Sequence, residues 1–273
     1  MRRRAGVWTY AVLALFAAGS LFPLVWTAIA ASRTTTRLAQ TPPPFWFGGN
    51  LSRNLRIAWT DAAMGTALLN TTIVAGTVAA GTVLFATSAG FAFAKLRFRG
   101  RGALLIVVIG TMTVPPQLSV VPLYMLIAKL QWTDQLQAVI LPTLVSAFGV
   151  FFMRQYLVEA LPGELVEAAR VDGASTWRVL WHVVFPVARP AMAVLAMLTF
   201  VMAWNDFFWP IIALTQNGSP TVQVALTGLG RGYIPDQAVI MAGAFLGTLP
   251  LLIAFVLFGR QIVGGIMRGA VKG

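Results

Sequence analysis

Charged residues are spaced so unevenly along this chain that they leave long runs with none. Ala5 to Ser32 is 28 residues without a charge, Ala62 to Ala94 is 33, Gly102 to Ala128 is 27 and Gln237 to Gly259 is 23. A helix needs about 20 apolar residues to cross the hydrocarbon core of a bilayer, so these runs are long enough to span and not merely to fill a core. The full chain of 273 residues is 58% apolar and only 10% charged, against about 25% charged in an ordinary soluble domain. The pattern predicts an all-α, polytopic membrane protein. Six transmembrane helices are expected at about 7–31, 68–94, 103–128, 136–156, 190–214 and 238–259, within a single transmembrane domain covering 1–273.

Prolines punctuate these spans at 23, 115, 116, 142, 210 and 250. A proline frees the carbonyl of the preceding turn, which neighbouring helices or water must satisfy. For most of them a packing kink is a sufficient reading, but the adjacent pair Pro115 and Pro116 must break its helix locally. Gly243-x-x-x-Gly247 and Gly76-x-x-x-Ala80 each put small residues on one helix face, where two backbones can approach closely.

Orientation follows from lysine and arginine on alternate sides of the spans. One side takes Arg2, Arg3, Arg4, the knot Lys95, Arg97, Arg99, Arg101, then Arg154, Arg170, Arg178, Arg189, Arg260, Arg268 and Lys272, 14 in all. The other takes Arg33, Arg37, Arg53, Arg56, Lys129 and Arg231, six in all. The richer side is read as cytoplasmic, with both termini on it. The first apolar run imitates a secretory signal, ending in Ala28-Ile29-Ala30. A signal's apolar region is about 7–15 residues, however, and this one is longer, so an uncleaved first span is expected.

The net charge of +12 does not call for nucleic acid, because the basic residues flank apolar spans and form no aromatic-interleaved stripe. With no cysteine and one histidine, His182, disulfides, thiolate chemistry and a multi-histidine metal site are excluded. No G-x-x-x-x-G-K-[ST] loop occurs, so this chain is not expected to hydrolyse ATP by that device.

Four of the eight acidic residues, Glu159, Glu164, Glu167 and Asp172, fall between the fourth and fifth spans, in a cytoplasmic segment at about 157–189. Pro162 can open a helix at its first turn, where Glu164 and Glu167 meet the favourable end of the helix dipole. Leu165, Ala168 and Ala169 form a small apolar stripe at helical spacing. Gly173 permits a left-handed reversal, and a second short helix from Ser175 to about Trp181 leads back to Pro186 and the fifth span. On pattern alone, such a helix either seats in a partner or rests on lipid.

The string Glu167-Ala168-Ala169-Arg170-Val171-Asp172-Gly173-Ala174-Ser175, followed by Phe185-Pro186, resembles the cytoplasmic EAA motif of binding-protein-dependent ABC importers. Val184-Phe185-Pro186 is a close variant of that motif's usual ending. The likeness extends to Val114-Pro115-Pro116-Gln117, to Trp204-Asn205-Asp206-Phe207-Phe208-Trp209-Pro210 and to a short basic tail at 265–273. Together they resemble the carbohydrate-uptake branch, the smaller subunit of the maltose-permease type. The resemblance implies a permease subunit without enzymatic activity, in the inner membrane. Its implied coupling helix, with Glu164, Leu165, Glu167, Ala168, Ala169, Arg170, Asp172 and Gly173, would dock on an ATPase. It further implies a second permease subunit, two ATPase subunits that hold ATP and Mg, and an external solute-binding protein met by the loops at about 32–66 and 215–236. A peptide or glycerol-phosphate permease is the nearest alternative.

Asp206 is the one acid well inside a predicted span. A charge there is costly and should face the bundle interior or a wet cavity. Trp204, Asn205 and Asp206 could line a solute path, the indole against a sugar's C–H face and the polar groups on its hydroxyls. They could equally form an internal helix–helix hydrogen bond. An ion-coupled secondary transporter would usually relay its ion through several intramembrane carboxylates. A lipid-directed enzyme would need more than a solitary His182 on a surface turn.

Overall fold

The computed structural model describes residues 6–215, 218–231, 233 and 235–270. Arg2, Arg3, Arg4 and Lys272 of the charge pattern, and Gly232 of the outer loop, lie outside the described residues. Among the described residues the regular structure is all helical. Within them, four helices are long and apolar enough to cross a membrane, and two bent helix pairs bring the number to six when each pair counts as one crossing.

The chain divides into two compact units, the first built from residues up to Leu68 and from Val222–Pro250. Its opening helix, Val7–Ala31, buries only Ile29, Ala30 and Ala31. A helix that is apolar all round and left uncovered needs non-aqueous surroundings. The last carbonyls of a helix have no partner within it. Buried Asn54, on the helix Leu51–Asp61, supplies donors here: its Nδ2 donates to Ala31 O at 2.8 Å and to Arg33 O at 2.7 Å. Asp236 does the complementary job at the start of the helix Gln237–Ala270. Its Oδ1 accepts from the amides of Ala238 and Val239 at 3.1 and 3.3 Å and from Thr35 Oγ1 at 2.6 Å. The Gly243 and Gly247 pair receives side chains of the helix Val222–Leu229. A Cβ at Gly243 would come within 2.8 Å of Leu226 and Leu229, and one at Gly247 within 2.6 Å of Val222.

The second unit comprises Leu69–Thr221 and Leu251–Gly273. It holds most of the Met64–Lys95 helix, which packs against the Ala147–Ala160 helix. Gly90 sits where a Cβ would fall 2.8 Å from the Arg154 amide nitrogen. One at Gly149 would lie 3.1 and 3.3 Å from Ala86 and Thr82, and one at Gly81 would meet Leu144. These glycines, and not Gly76, bring elements together; a Cβ at Gly76 would meet nothing within 4 Å.

The third predicted span is two helices, Arg101–Thr111 and Pro116–Lys129, bent by 94°. The proline pair explains the break, because a residue before proline is driven out of the helical region, and Pro115 stands extended at φ −59°, ψ 126°. A gentler 40° bend separates Leu136–Thr143 from Ala147–Ala160. Ser146 caps the second of these, accepting from the Gly149 amide at 3.2 Å, and the loosened Leu144 carbonyl accepts from Thr82 Oγ1 at 3.1 Å.

The fifth span departs from its expected bounds of 190–214. One continuous helical stretch, Thr176–Trp204, runs through the segment read as a separate short helix. Pro186 does not stop it, since a π-helical turn at Leu180–Val184 comes just before. That wider turn carries the chain past the ring without requiring the amide that proline lacks. The stretch ends at Trp204, and a short helix, Phe208–Ala213, follows. Asn205 and Asp206 make that break: Asn205 Nδ2 donates back to Val201 O at 2.8 Å, and Asp206 Oδ1 accepts from the Phe208 amide at 3.1 Å.

Candidate functional site

Two places in the second unit gather the residues of interest. In the first, the helix Gly163–Val171 follows Pro162 and ends at a glycine turn. Gly173 has φ +77°, the left-handed conformation expected of it. Its amide donates to Arg170 O at 3.0 Å and the Ala174 amide donates to Ala169 O at 2.9 Å. This bond pair is the Schellman closure, which satisfies two orphan carbonyls and fixes the exit angle. Ser175 then caps the next helix, its side chain accepting from the Arg178 amide at 3.3 Å.

The helix turns a different apolar face inward from the one expected. Val166, 5% exposed, and half-buried Ala169 pack into a core with Met153, Leu157, Leu161, Val179 and Val184. Leu165 and Ala168, expected in the same stripe as Ala169, point outward with Glu164, Glu167, Arg170, Asp172 and Gly173. Leu165 is 47% exposed, Val171 88% and Trp177 69%. The sequence reading missed Val171 and Trp177; their signal was apolar bulk in a segment otherwise rich in charge. His182 is exposed, with Nδ1 3.1 Å from Arg178 O.

The second place is a partly open cavity of about 530 Å³. Asp206 lines it, together with Thr82, Thr143, Ser146 and Thr199, Pro116 from the broken third span, and apolar side chains such as Val78 and Met202. The structure separates the three residues read as one path segment. Trp204 is 2% exposed, its ring tilted against Phe200 at 5.5 Å between centroids, and it does not border the cavity. Asn205 is exposed but bonded to its own helix. Trp209, from the same string, is a core residue whose Nε1 donates to Ala138 O at 3.0 Å. The hydroxyls at 82, 143, 146 and 199 went unnoticed in sequence because threonine and serine are common in apolar helices. Thr143 and Ser146 flank the bend between Leu136–Thr143 and Ala147–Ala160, and Thr199 lies on the helix that ends just before Asp206.

Residues 83–266 match the family of binding-protein-dependent transport system inner membrane components. The chain belongs to that family. It is a permease subunit of an ABC importer, an inner-membrane transport component and not an enzyme. The permease is 32% identical to the lactose transport system permease protein LacG of Rhizobium radiobacter, over 99% of this chain and 98% of that one. It is 30% identical to the arabinooligosaccharides transport system permease protein AraQ of Halalkalibacterium halodurans, over 93% and 92%. With the diacetylchitobiose uptake system permease protein NgcG of Streptomyces coelicolor the identity is 27%, over 99% and 90%. Its fold matches a chain in the crystal structure of a bacterial ABC transporter involved in the import of the acidic polysaccharide alginate. There the TM-score is 0.78 at 22% identity, over 93% of this chain and 95% of that one. Family membership implies partners that hydrolyse ATP and a protein that binds the solute.

Proposed function

We propose that this permease forms half of a transmembrane pathway for a sugar or sugar-like solute, pairing with a second, different permease subunit. Two ATPase subunits supply ATP and Mg chemistry at the cytoplasmic face, and an external binding protein delivers the solute to the loops at about 32–66 and 215–236. The names of the relatives, which cover lactose, arabinooligosaccharides and diacetylchitobiose, support the solute class. A single observation carries the mechanical part of this reading. The Gly163–Val171 helix is pinned from within by Val166 and a Schellman closure, yet offers Leu165, Ala168 and Val171 to the outside. A stiff body with an uncovered apolar face is what a docking element requires, since binding energy then goes into moving the spans and not into ordering the helix. Glu164 and Glu167 flank that face and give it a charge pattern to match against a basic groove.

Purification of the permease from native membranes is expected to bring down the second permease, the ATPase and, with a neutral sugar present, the binding protein. The complex should hydrolyse ATP faster when the loaded binding protein is added. A homodimer of this chain that transports alone, or uptake driven by an ion gradient with ATP depleted, would overturn the proposal.

We also place both termini and the 95–101 knot in the cytoplasm. The chain has no cysteine, so single-cysteine variants are clean probes. Gln131→Cys should react with a membrane-impermeant maleimide in intact spheroplasts, and Arg99→Cys only after permeabilisation. The reverse pattern would invert the topology.

A further inference from the structure

The lining of the Asp206 cavity is one-sided in charge. Its ionisable group is Asp206, and among the described residues no lysine or arginine lines it. Two of its hydroxyls, those of Thr82 and Thr143, are committed as donors. Thr143 Oγ1 donates to the carbonyls of Val139 and Ile140 at 2.9 Å each, and Thr82 Oγ1 donates to Leu144 O at 3.1 Å. A hydroxyl that spends its proton on the backbone presents only lone pairs to its other side. Asp206 is held in place by the Phe208 amide at 3.1 Å on Oδ1, and an ionised carboxylate accepts at both oxygens. At Thr82, Thr143 and Asp206 the cavity therefore presents acceptors held by the backbone of the surrounding helices, and it carries a negative group, while Ser146, which accepts from the Gly149 amide, keeps a proton to donate.

We propose that this cavity is a charge filter. It admits uncharged, hydroxyl-rich solutes, whose O–H groups donate to Asp206 and to the Thr82 and Thr143 oxygens. It turns away solutes bearing phosphate or carboxylate, which meet a like charge. The inference rests on the proposal that the cavity belongs to the transport pathway. At an effective dielectric of about 20, two like charges within about 8 Å repel strongly enough to lower occupancy roughly tenfold or more. In this respect the permease would differ from importers of acidic solutes that share its fold.

The absence of cysteine again provides the test. Thr199→Cys, in the assembled importer reconstituted in nanodiscs, is treated with cationic and with anionic methanethiosulfonate reagents, each rate normalised to a free thiol. The cationic reagent is expected to react faster, and adding Asp206→Asn should lower the cationic-to-anionic ratio roughly tenfold. Gln131→Cys, on an exposed turn, should keep its ratio in both backgrounds. Thr143→Cys repeats the measurement at a second lining position should Thr199→Cys fail to assemble. A ratio unmoved by Asp206→Asn, or one that favours the anion from the start, would overturn the filter while leaving the pathway standing. If neither water-soluble reagent reaches either cavity position in any nucleotide state, while Gln131→Cys reacts, the pathway reading itself falls. Slower labelling in the presence of a transported neutral sugar would support both.

Discussion

Valine in place of Gly173 is expected to leave the permease inserted and paired with its partner, yet to cut solute-stimulated ATP hydrolysis about tenfold. The effect cannot come from crowding, because a Cβ at Gly173 would meet nothing within 4 Å. It comes from the backbone. At φ +77° a β-branched residue is strongly disfavoured, and holding an L-residue in the left-handed region costs about 1–2 kcal/mol. The chain escapes that cost by releasing the turn. The two bonds that close it, from Gly173 to Arg170 and from Ala174 to Ala169, would then be lost, and the exit angle into the Ser175 cap would change.

A docking body that no longer holds its angle seats less well, and each ~1.4 kcal/mol is a decade in that equilibrium. Gly173→Asn is the internal control, since asparagine tolerates the left-handed region far better than valine; it should keep most of the coupling. Hydrolysis by the purified complex, with and without loaded binding protein, reads both variants. Wild-type stimulation in the valine variant would remove the rigid-body role from this turn and return the helix to a lipid-resting one.

The turn at Gly173 could be read in the sequence because it depends on one residue's freedom and its immediate neighbours. So could the break at Pro115–Pro116, where two ring constraints in succession leave no helical solution. The inward face of the Gly163–Val171 helix could not be read. Apolar periodicity finds a core face by its contrast with a polar one, and here the outward face carries Leu165 and Val171 as well. The start of the fifth span was hidden for a related reason: Pro186 looks like a boundary, and nothing local announces the π turn at Leu180–Val184 that accommodates it. The cavity was the least legible feature. Its polar groups come from three separate stretches of chain, Thr82, Thr143 with Ser146, and Thr199 with Asp206, far apart in sequence.

Alanine at Gly90 is expected to be the most damaging single-methyl change in the second unit, and leucine there should abolish recovery of folded permease. Small-x-x-x-small patterns point to Gly76 as readily as to Gly90, so the two make a matched pair. A Cβ at Gly90 would lie 2.8 Å from the Arg154 amide nitrogen and 2.9 Å from Met153 Cβ. Neither is the loose end of a flexible side chain, so the Met64–Lys95 and Ala147–Ala160 helices would have to move apart. They have little room to do so. Further along the same helix, a Cβ at Gly149 would come within 3.1 Å of Ala86, and one at Gly81 would run into the Leu144 side chain. Overpacking of this kind costs about 1–3 kcal/mol for small increments, and interiors as dense as these transmit the strain instead of absorbing it. The displaced helix also carries Met153 and Leu157, the residues against which Val166 packs, so the damage should reach the docking helix. At Gly76 the same methyl enters open space. Gly76→Ala should be neutral or gain up to about 1 kcal/mol from helix propensity. Size-exclusion profiles and thermal unfolding in detergent compare the pair directly. Equal stability for Gly90→Ala and Gly76→Ala would mean that the two helices are not in the close contact on which the docking helix depends.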